Sequence, residues 1–393
     1  MSDRPGAAAI PQSSPGRDYQ RHQAEIDAGL RRALDSGWYI LGPEVRAFEA
    51  EFASYLGLSE GVGVASGTDA VEVALRALGV GPGDAVYTVS HTAVATVVGV
   101  ERTGATPVLV DVNDATYTMD PASLAAAIAA DPRPGGARPA AVVVVHLYGQ
   151  LAAMPEIMRV ARGAGLLVVE DCAQAHGARR DGRVAGTWGD IAAFSFYPTK
   201  NLAALGDGGL VATDDAGLAA RVRELRQYGW RDRYVSAVAG INSRLDEVQA
   251  AVLRAKLPHL DEDNARRRAI AARYDARLRG SVVGTPTVGP GAEHVFHQYV
   301  VRTSRRDELM AWLRERGIAS AIHYPVPVHS QPGYAGRLPR AVELPVTERL
   351  ASEILSLPIF PSLSDEEVDR VTETVLAWAE SAPSFTEGSG SAS

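Results

Sequence analysis

The sequence predicts an α/β fold: a mostly parallel, doubly wound sheet in a large domain, followed by a smaller C-terminal α+β domain. Three observations carry this. Between Gly61 and Val169 short apolar runs alternate with helical stretches, the pattern of βαβ units. Ala141 to Tyr148 is nearly continuous valine, as in a strand buried on both faces. At 393 residues the chain exceeds the size at which one hydrophobic core stops growing, so two domains are expected. The expected organisation is a flexible N-terminus over 1–17, a large domain over 18–250, a small domain over 251–380 and a disordered tail over 381–393.

The elements follow in order. Met1 to Arg17 is rich in Pro, Gly, Ala and Ser and reads as mobile. Tyr19 to Asp35 reads as one helix ending at Ser36-Gly37, and Pro43 suits the first position of a helix from Glu44 to Leu56. Gly61–Ala65, Ala85–Val89, Pro107–Asp111, Ala141–Tyr148 and Leu166–Val169 read as strands. The helices between them start at about Asp69, Thr92, Pro121 and Pro155. Ala216–Tyr228 is an arginine-rich helix, followed by helices over Asp246–His259 and Asn264–Arg279. The remainder mixes a strand, Val295–Arg302, with helices over Arg306–Arg316 and Asp365–Glu380. SAPSFTEGSGSAS is a polar tail expected to be disordered.

Composition excludes several classes. Hydrophobic residues at 46% and charged residues at 22% suit a globular protein. A net charge of −8 and a pI near 5.7 argue against a nucleic-acid partner or an acidic membrane surface. The single cysteine, Cys172, excludes an internal disulfide and suits a reducing compartment. No uncharged apolar run reaches the roughly 18 residues a membrane span needs, and the N-terminus lacks the order of a signal peptide. A cytoplasmic location is expected.

The chemistry centres on Phe194 to Leu210, FSFYPTKNLAALGDGGL. Pro198 and the glycines Gly206, Gly208 and Gly209 punctuate it as strand, tight loop, strand. Lys200 sits in the loop, and only Lys200 and Lys256 are lysines in a chain of 39 basic residues. Arginine stays protonated, whereas a lysine in an apolar pocket can act as an amine nucleophile. By itself Lys200 reads equally as a solvated charge. Ser66-Gly67-Thr68-Asp69 stands between a strand and a helix, either as a plain N-cap or as an anion site on the helix N-terminus. No Walker loop occurs, and no G-x-G-x-x-G opens a helix. Glu170-Asp171 ends a buried strand, where ligands of open α/β sheets bind and where a carboxylate needs a partner. A protonated pyridine nitrogen is one such partner. No cluster has metal-ligand spacing. His146, Tyr148 and Gln150 follow a buried strand, and His297, His323, Tyr324 and His329 come late; each reads as structural unless supported. Together, an amine, an anion cradle and a strand-end carboxylate are what pyridoxal 5′-phosphate requires.

From Gly37 to Glu380 the chain resembles the DegT/DnrJ/EryC1/StrS family of pyridoxal-phosphate sugar aminotransferases, which have the fold-type-I architecture. The marks are SGWYILGPEVRAFE, ASGTDAVEVALRALGVGPGD, TPVLVDV, VHLYGQ, VVEDCAQAHGA, FSFYPTKNLAALGDGGLV, NSRLDEVQAAVL and HYPVPVHSQPGY. The resemblance implies that Lys200 forms the Schiff base and moves the proton, and that Asp171 pairs with the pyridine nitrogen. It places Gln174 near the phenolic oxygen, Ala173 against the ring, and Gly67, Thr68 and Ser195 on the phosphate. Asn242 matches an asparagine reaching the phosphate from a neighbouring subunit, which implies a homodimer with shared active sites. Two departures stand out. Ala93 follows Thr92 where the family commonly carries a stacking aromatic, so His91 becomes the substitute; and Ala203 stands where glycine is frequent, tolerable if its φ is negative. Lys200 also argues against family members that carry histidine there and act as dehydratases. Tyr148-Gly149-Gln150 resembles members acting on nucleotide-linked 3-keto-6-deoxyhexoses, which would bring Tyr148, Gln150, His323 and Tyr324 near the sugar. The implied activity is transfer of an amino group from L-glutamate or L-glutamine to a dTDP-linked keto sugar in amino-sugar biosynthesis, through pyridoxamine 5′-phosphate. A 4-keto sugar, a keto-cyclitol and a non-catalytic regulator are the alternatives.

Overall fold

The computed structural model describes residues 8–130, 133, 136–339 and 341–381. The first seven residues of the expected flexible N-terminus and the tail from 382 lie outside the described residues. Residues 8–17, expected to be mobile, are instead tied down. Ile10 is 1% exposed, its N–H donates to the Gly317 carbonyl at 2.8 Å, and its carbonyl accepts from Ala319 N–H at 2.9 Å. One isoleucine in a run of small residues fills a core position that composition alone does not reveal. Helix α1 (Pro15–Arg21) follows, and a break at His22 separates it from α2 (Gln23–Asp35), where one helix was expected.

Helix α3 (Pro43–Leu56) ends on Gly57, whose φ of 77° is the left-handed cap that glycine adopts freely. Then β1 (Glu60–Val64), α4 (Gly67–Ala77), β2 (Asp84–Val89), α5 (Val94–Arg102), β3 (Thr106–Val110), α6 (Pro121–Ala130), β4 (Arg138–Val145), α7 (Met154–Gly163) and β5 (Leu167–Asp171) realise the expected alternation. A small hairpin, β6 (Arg179–Arg180) and β7 (Arg183–Val184), precedes β8 (Ile191–Ser195), β9 (Gly209–Thr213) and α8 (Ala216–Leu225). The sheet has seven strands in the order β1-β9-β8-β5-β4-β2-β3. Only β9 opposes its neighbours; the pairs β8/β5, β5/β4, β4/β2 and β2/β3 are parallel. The valine-rich strand stops at Val145 rather than at Tyr148, because Leu147–Gly149 forms a single 3₁₀ turn with Tyr148 at φ 61°.

A short hairpin, β10 (Trp230–Asp232) and β11 (Val235–Ser236), leads to α9 (Glu247–Lys256) and α10 (Leu260–Leu278). After these come β12 (Ala292–Glu293), β13 (Tyr299–Arg302), α11 (Arg306–Glu315), α12 (Pro345–Glu353), β14 (Ile354–Leu357) and α13 (Asp365–Ser381). Helix α9 packs on α2 and α3, whereas Ile270, Tyr274 and Leu278 of α10 join Tyr299, Leu313, Leu355 and Trp378 in a second core. Ile10 aside, this second core draws on residues from 270 onward.

One buried carboxylate ties α9 to α3. Glu247, 0% exposed, accepts from the backbone N–H groups of Gly42 (2.7 Å), Glu44 (2.9 Å) and Val45 (2.9 Å). These are the orphan donors at the N-terminus of α3, where a negative charge also meets the positive end of the helix dipole. Glu247→Ala should lower the stability of the chain by about 3 kcal/mol, since it strands buried donors. The exposed Glu262→Ala should shift it by no more than about 0.5 kcal/mol. Urea unfolding midpoints measure both, and equal midpoints would refute the cap.

Candidate active site

The residues singled out in the sequence converge where the parallel strands end. A cavity of about 220 Å³ is lined by Val145 at the end of β4, Asp171 at the end of β5, Ser195 at the end of β8 and Thr92 just beyond β2, closed by Ser66, Gly67 and Thr68 at the start of α4. Ligands of open α/β sheets bind at such strand ends. Helix α4 begins there because Ser66 is extended and its Oγ accepts from Asp69 N–H at 3.2 Å. That cap leaves the earlier amides of the first turn turned toward the cavity. Two glycines make the approach possible. A Cβ on Gly67 would lie 2.5 Å from Ser195 Cβ, and one on Gly209 would lie 2.3 Å from the Ser66 carbonyl oxygen. Any side chain at either position would push the helix start away from the strands.

Lys200 reaches this cavity from the loop between β8 and β9. Burial lowers its pKa to about 8, opposed by the attraction of Asp171. The other lysine holds the loop: Lys256 Nζ donates to the Ala203 carbonyl at 2.9 Å. Asn201 Nδ2 donates to Asn264 Oδ1 (2.8 Å) and to the Val295 carbonyl (3.1 Å), and its Oδ1 meets His297 Nδ1 at 3.1 Å. Ala203 has no positive φ, as tolerance of alanine there requires.

Asp171 and Glu170 are adjacent on β5 and so face opposite sides of the sheet. Asp171 Oδ2 accepts from Thr96 Oγ1 (2.8 Å) and its Oδ1 from Ala173 N–H (3.1 Å). Thr96, itself hydrogen-bonded to Thr92 at 3.1 Å, is a site residue that sequence reasoning passed over. The signal was there, as two threonines four positions apart where α5 begins. Glu170 is a fold residue. It accepts from Gly186, Trp188 and Gly189 amides and meets His146 Nε2 at 2.9 Å. Asp207 and Tyr197, also passed over, complete the lining with Ala173 and Gln174.

Several expected residues are placed elsewhere. His91, the expected stacking substitute, does not line the cavity. It is 1% exposed and its Nε2 meets the Tyr148 hydroxyl at 3.0 Å, leaving Ala93 and Thr92 on the wall. Burial lowers its pKa to about 4, so the ring is neutral. Tyr148 is 2% exposed and donates to the His323 carbonyl, and Gln150 is occupied by the Gly289 amide (2.6 Å) and the Thr287 carbonyl (3.1 Å). The positive φ at Tyr148 turns that segment into the protein, so neither side chain borders the cavity. His323 Nδ1 is paired with Ser356 Oγ at 2.8 Å. Tyr324 stays adjacent to the site, its hydroxyl accepting from Gln174 Nε2 at 3.1 Å while Gln174 Oε1 accepts from Tyr148 N–H at 2.7 Å. His329 bridges Ser90 and Glu348. Asn242 is exposed, bridged to Gln227 and away from the cavity within its own chain.

A lysine that loses its proton near neutral pH, set across from a strand-end carboxylate and above free helix amides, suits an aldehyde cofactor that carries a phosphate and a ring nitrogen. On a doubly wound sheet this defines a fold-type-I, pyridoxal-phosphate-dependent transferase. The chain belongs to the DegT/DnrJ/EryC1/StrS aminotransferase family, whose model matches residues 20–376, and it is a sugar aminotransferase. It is 48% identical over 381 residues to a dTDP-3-amino-3,4,6-trideoxy-alpha-D-glucose transaminase of Streptomyces venezuelae, covering 97% of this chain and 99% of that one. It is 50% identical over 364 residues to a transaminase of the same description from Micromonospora megalomicea subsp. nigra, covering 91% and 96%. The crystal structure of S. venezuelae DesV superposes with a TM-score of 0.91 at 48% identity, covering 96% of this chain and 100% of that one. No described helix is long and apolar enough to cross a membrane.

The lowered pKa has a signed consequence. Folding brings the Lys200 amine below its ordinary value near 10.4, so between about pH 8 and 10.4 the unfolded chain binds the extra proton. Stability from this group therefore rises with pH across that window. In cofactor-free protein, competitive acetylation read by mass spectrometry should show Lys200 reactivity climbing about tenfold per pH unit up to pH 8 and then levelling. A profile still rising at pH 10 would contradict the desolvated amine.

Proposed function

We propose that the protein aminates a dTDP-linked 3-keto-6-deoxyhexose at C3, with L-glutamate or L-glutamine as donor, in amino-sugar biosynthesis in the cytoplasm. The observation that supports this most is the pair of relatives near 50% identity over almost the whole chain, both dTDP-3-amino-sugar transaminases.

Bound pyridoxal phosphate supplies an electron sink and carries the amino group between donor and acceptor. The chain's own residues do the rest. Lys200 Nζ binds the aldehyde, and its pKa of about 8 lets it both release and take up a proton at the reacting carbon. Asp171, its carboxylate fixed by Thr96 and Ala173, holds a proton on the ring nitrogen. The amides of Gly67 and Thr68 and the Ser195 hydroxyl bind the phosphate at the positive end of α4. Gln174, held by Tyr148 and Tyr324, would lie near the phenolic oxygen, and Ala173 would lie against the ring. The sugar is bound chiefly outside the Tyr148–Gln150 turn, whose side chains are engaged in the fold.

The site is shared in a homodimer. Trp38 is 61% exposed and Tyr39 52%, large apolar groups that a lone chain rarely leaves to solvent together. Asn242, exposed on its own chain, is free to reach the partner's phosphate.

The cofactor-loaded protein should show a visible or near-ultraviolet band that Lys200→Ala loses, with turnover falling by at least about 10²–10⁴-fold. Offered a panel of dTDP-keto sugars with glutamate, it should place nitrogen on C3 as read by NMR. Nitrogen on C4, or amination of a keto-cyclitol alone, would overturn the substrate assignment while leaving the aminotransferase intact.

A further inference from the structure

We infer that His22, His259 and Glu25 form a binding site for a divalent transition-metal ion of the zinc class, separate from the cofactor cavity. His22 sits at the break between α1 and α2, Glu25 in the first turn of α2, and His259 in the short 3₁₀ turn, Leu257–His259, that joins α9 to α10. One ligand atom from each residue falls within 4.8 Å of the other two. The two imidazole rings stack with centroids 4.2 Å apart and planes 22° from parallel, so sharing one ion requires the partly exposed His259 ring to turn out of the stack. His259 Nε2 already meets Glu25 Oε2 at 2.8 Å.

The second observation is an unused donor set. His22 is 8% exposed, yet its buried Nε2 has no hydrogen-bond partner. A buried polar nitrogen left so is costly and needs an explanation. Its nearest counter-group is Asp263 Oδ2 at 4.0 Å, too far for a hydrogen bond, while Asp263 Oδ1 is taken by Arg21 Nη1 at 2.6 Å. Imidazole nitrogens with carboxylate oxygens suit zinc, nickel or copper rather than calcium or magnesium. Zinc–ligand bonds of about 2.0–2.2 Å put tetrahedral ligand atoms about 3.3–3.6 Å apart, so atoms now within 4.8 Å must close by no more than about 1.5 Å while the His259–Glu25 pair opens from 2.8 Å. Glu25 can swing to do so, its side chain being 54% exposed. Asp263 or a water completes the tetrahedron.

The other histidine-carboxylate trio shows the contrast. His146, Glu170 and Cys172 also approach within 4.8 Å, but the Glu170 oxygens are filled by three amides and His146. That trio is closed by the fold, while the His22 trio has an open nitrogen and a solvent-facing edge. A metal there would pin the N-terminal helix pair to the α9–α10 junction.

The test uses tag-free, full-length, cofactor-loaded protein stripped with a chelator and then given zinc chloride. Expected is one zinc per chain after gel filtration and a raised melting midpoint. Cobalt substitution should give an intense visible band typical of tetrahedral sites. His259→Gln and Glu25→Gln, both at partly or well exposed positions, should weaken zinc binding by at least about 10-fold while leaving the cofactor band and turnover unchanged. His22→Gln should behave alike and reports on the buried ligand. Substoichiometric zinc, or zinc binding equal in wild type and both exposed-site variants, would overturn the assignment.

Discussion

The site depends on immobilising a loop that has no regular structure of its own. Residues 196–208 leave the sheet at Ser195 and return at Gly209, so their backbone groups and the Lys200 side chain have no ladder to fix them. The chain supplies anchors from distant segments. Phe196 exchanges hydrogen bonds with Gly208 and Ala204, and Gln249 of α9 takes the Leu205 N–H at 2.9 Å. Lys256 and Asn201 add the bonds to Ala203 and to the α10 side. A loop held from both helices keeps an amine at a fixed height above the helix amides. That positioning matters more than any attraction along the loop, because misplacing a reacting atom by about 1 Å can cost 10²-fold in rate.

The same elements that hold the loop also set the strand ends. Strand β5 delivers two carboxylates in succession, and the alternation of a strand sends them to opposite duties. Glu170 organises the turn at 186–189 through backbone amides, so β8 starts in register with β5. Asp171 is thereby brought level with Ala193, and Asp171, Ser195 and Lys200 all border one cavity. A like device works just beyond β3 of the same sheet, where Asp111 accepts from the Val346 and Thr347 amides and the Thr347 hydroxyl. That carboxylate docks the N-terminus of α12 onto the end of β3. Buried carboxylates in this chain are thus satisfied mainly by helix starts and turns, which is where free N–H groups occur.

Much of this was legible in the sequence, for physical reasons that differ by residue. Valine-rich runs and their spacing exposed the parallel strands, since burial on both faces leaves a local signal. Gly67, Asp171 and Lys200 were legible because strand ends and helix starts are marked by punctuation, whereas Ser195 came from the family resemblance alone; all four line the cavity. Thr96 was passed over, since the pair of threonines at 92 and 96 carries no more than a faint signal until Asp171 is seen beside it. The 3₁₀ turn at Tyr148 escaped for the same reason that misled the placement of Tyr148 and Gln150: hydrophobicity runs on past Val145, while a single positive φ reverses the direction of the side chains. Ile10 and α12 were missed because their partners lie more than 200 residues away in sequence, at Ile318 and Asp111.

The wall after β2 carries the remaining physical choice. An aromatic on the ring face would contribute about 0.5–1.5 kcal/mol beyond burial. Here Ala93 faces the cavity, and His91 is turned inward against Tyr148 and Tyr117, with ring centroids 6.0 and 6.5 Å away. Turning His91 to the cavity would break its bond to the Tyr148 hydroxyl, which also links that turn to the His323 carbonyl. The wall after β2 thus carries no aromatic, and His91 serves a buried polar link through Tyr148 to the His323 carbonyl. Anchoring of the cofactor would then fall on the helix-start amides and Ser195 at the phosphate and on Lys200 and Asp171, with the small side chains of Ala93 and Ala173 on the cavity wall.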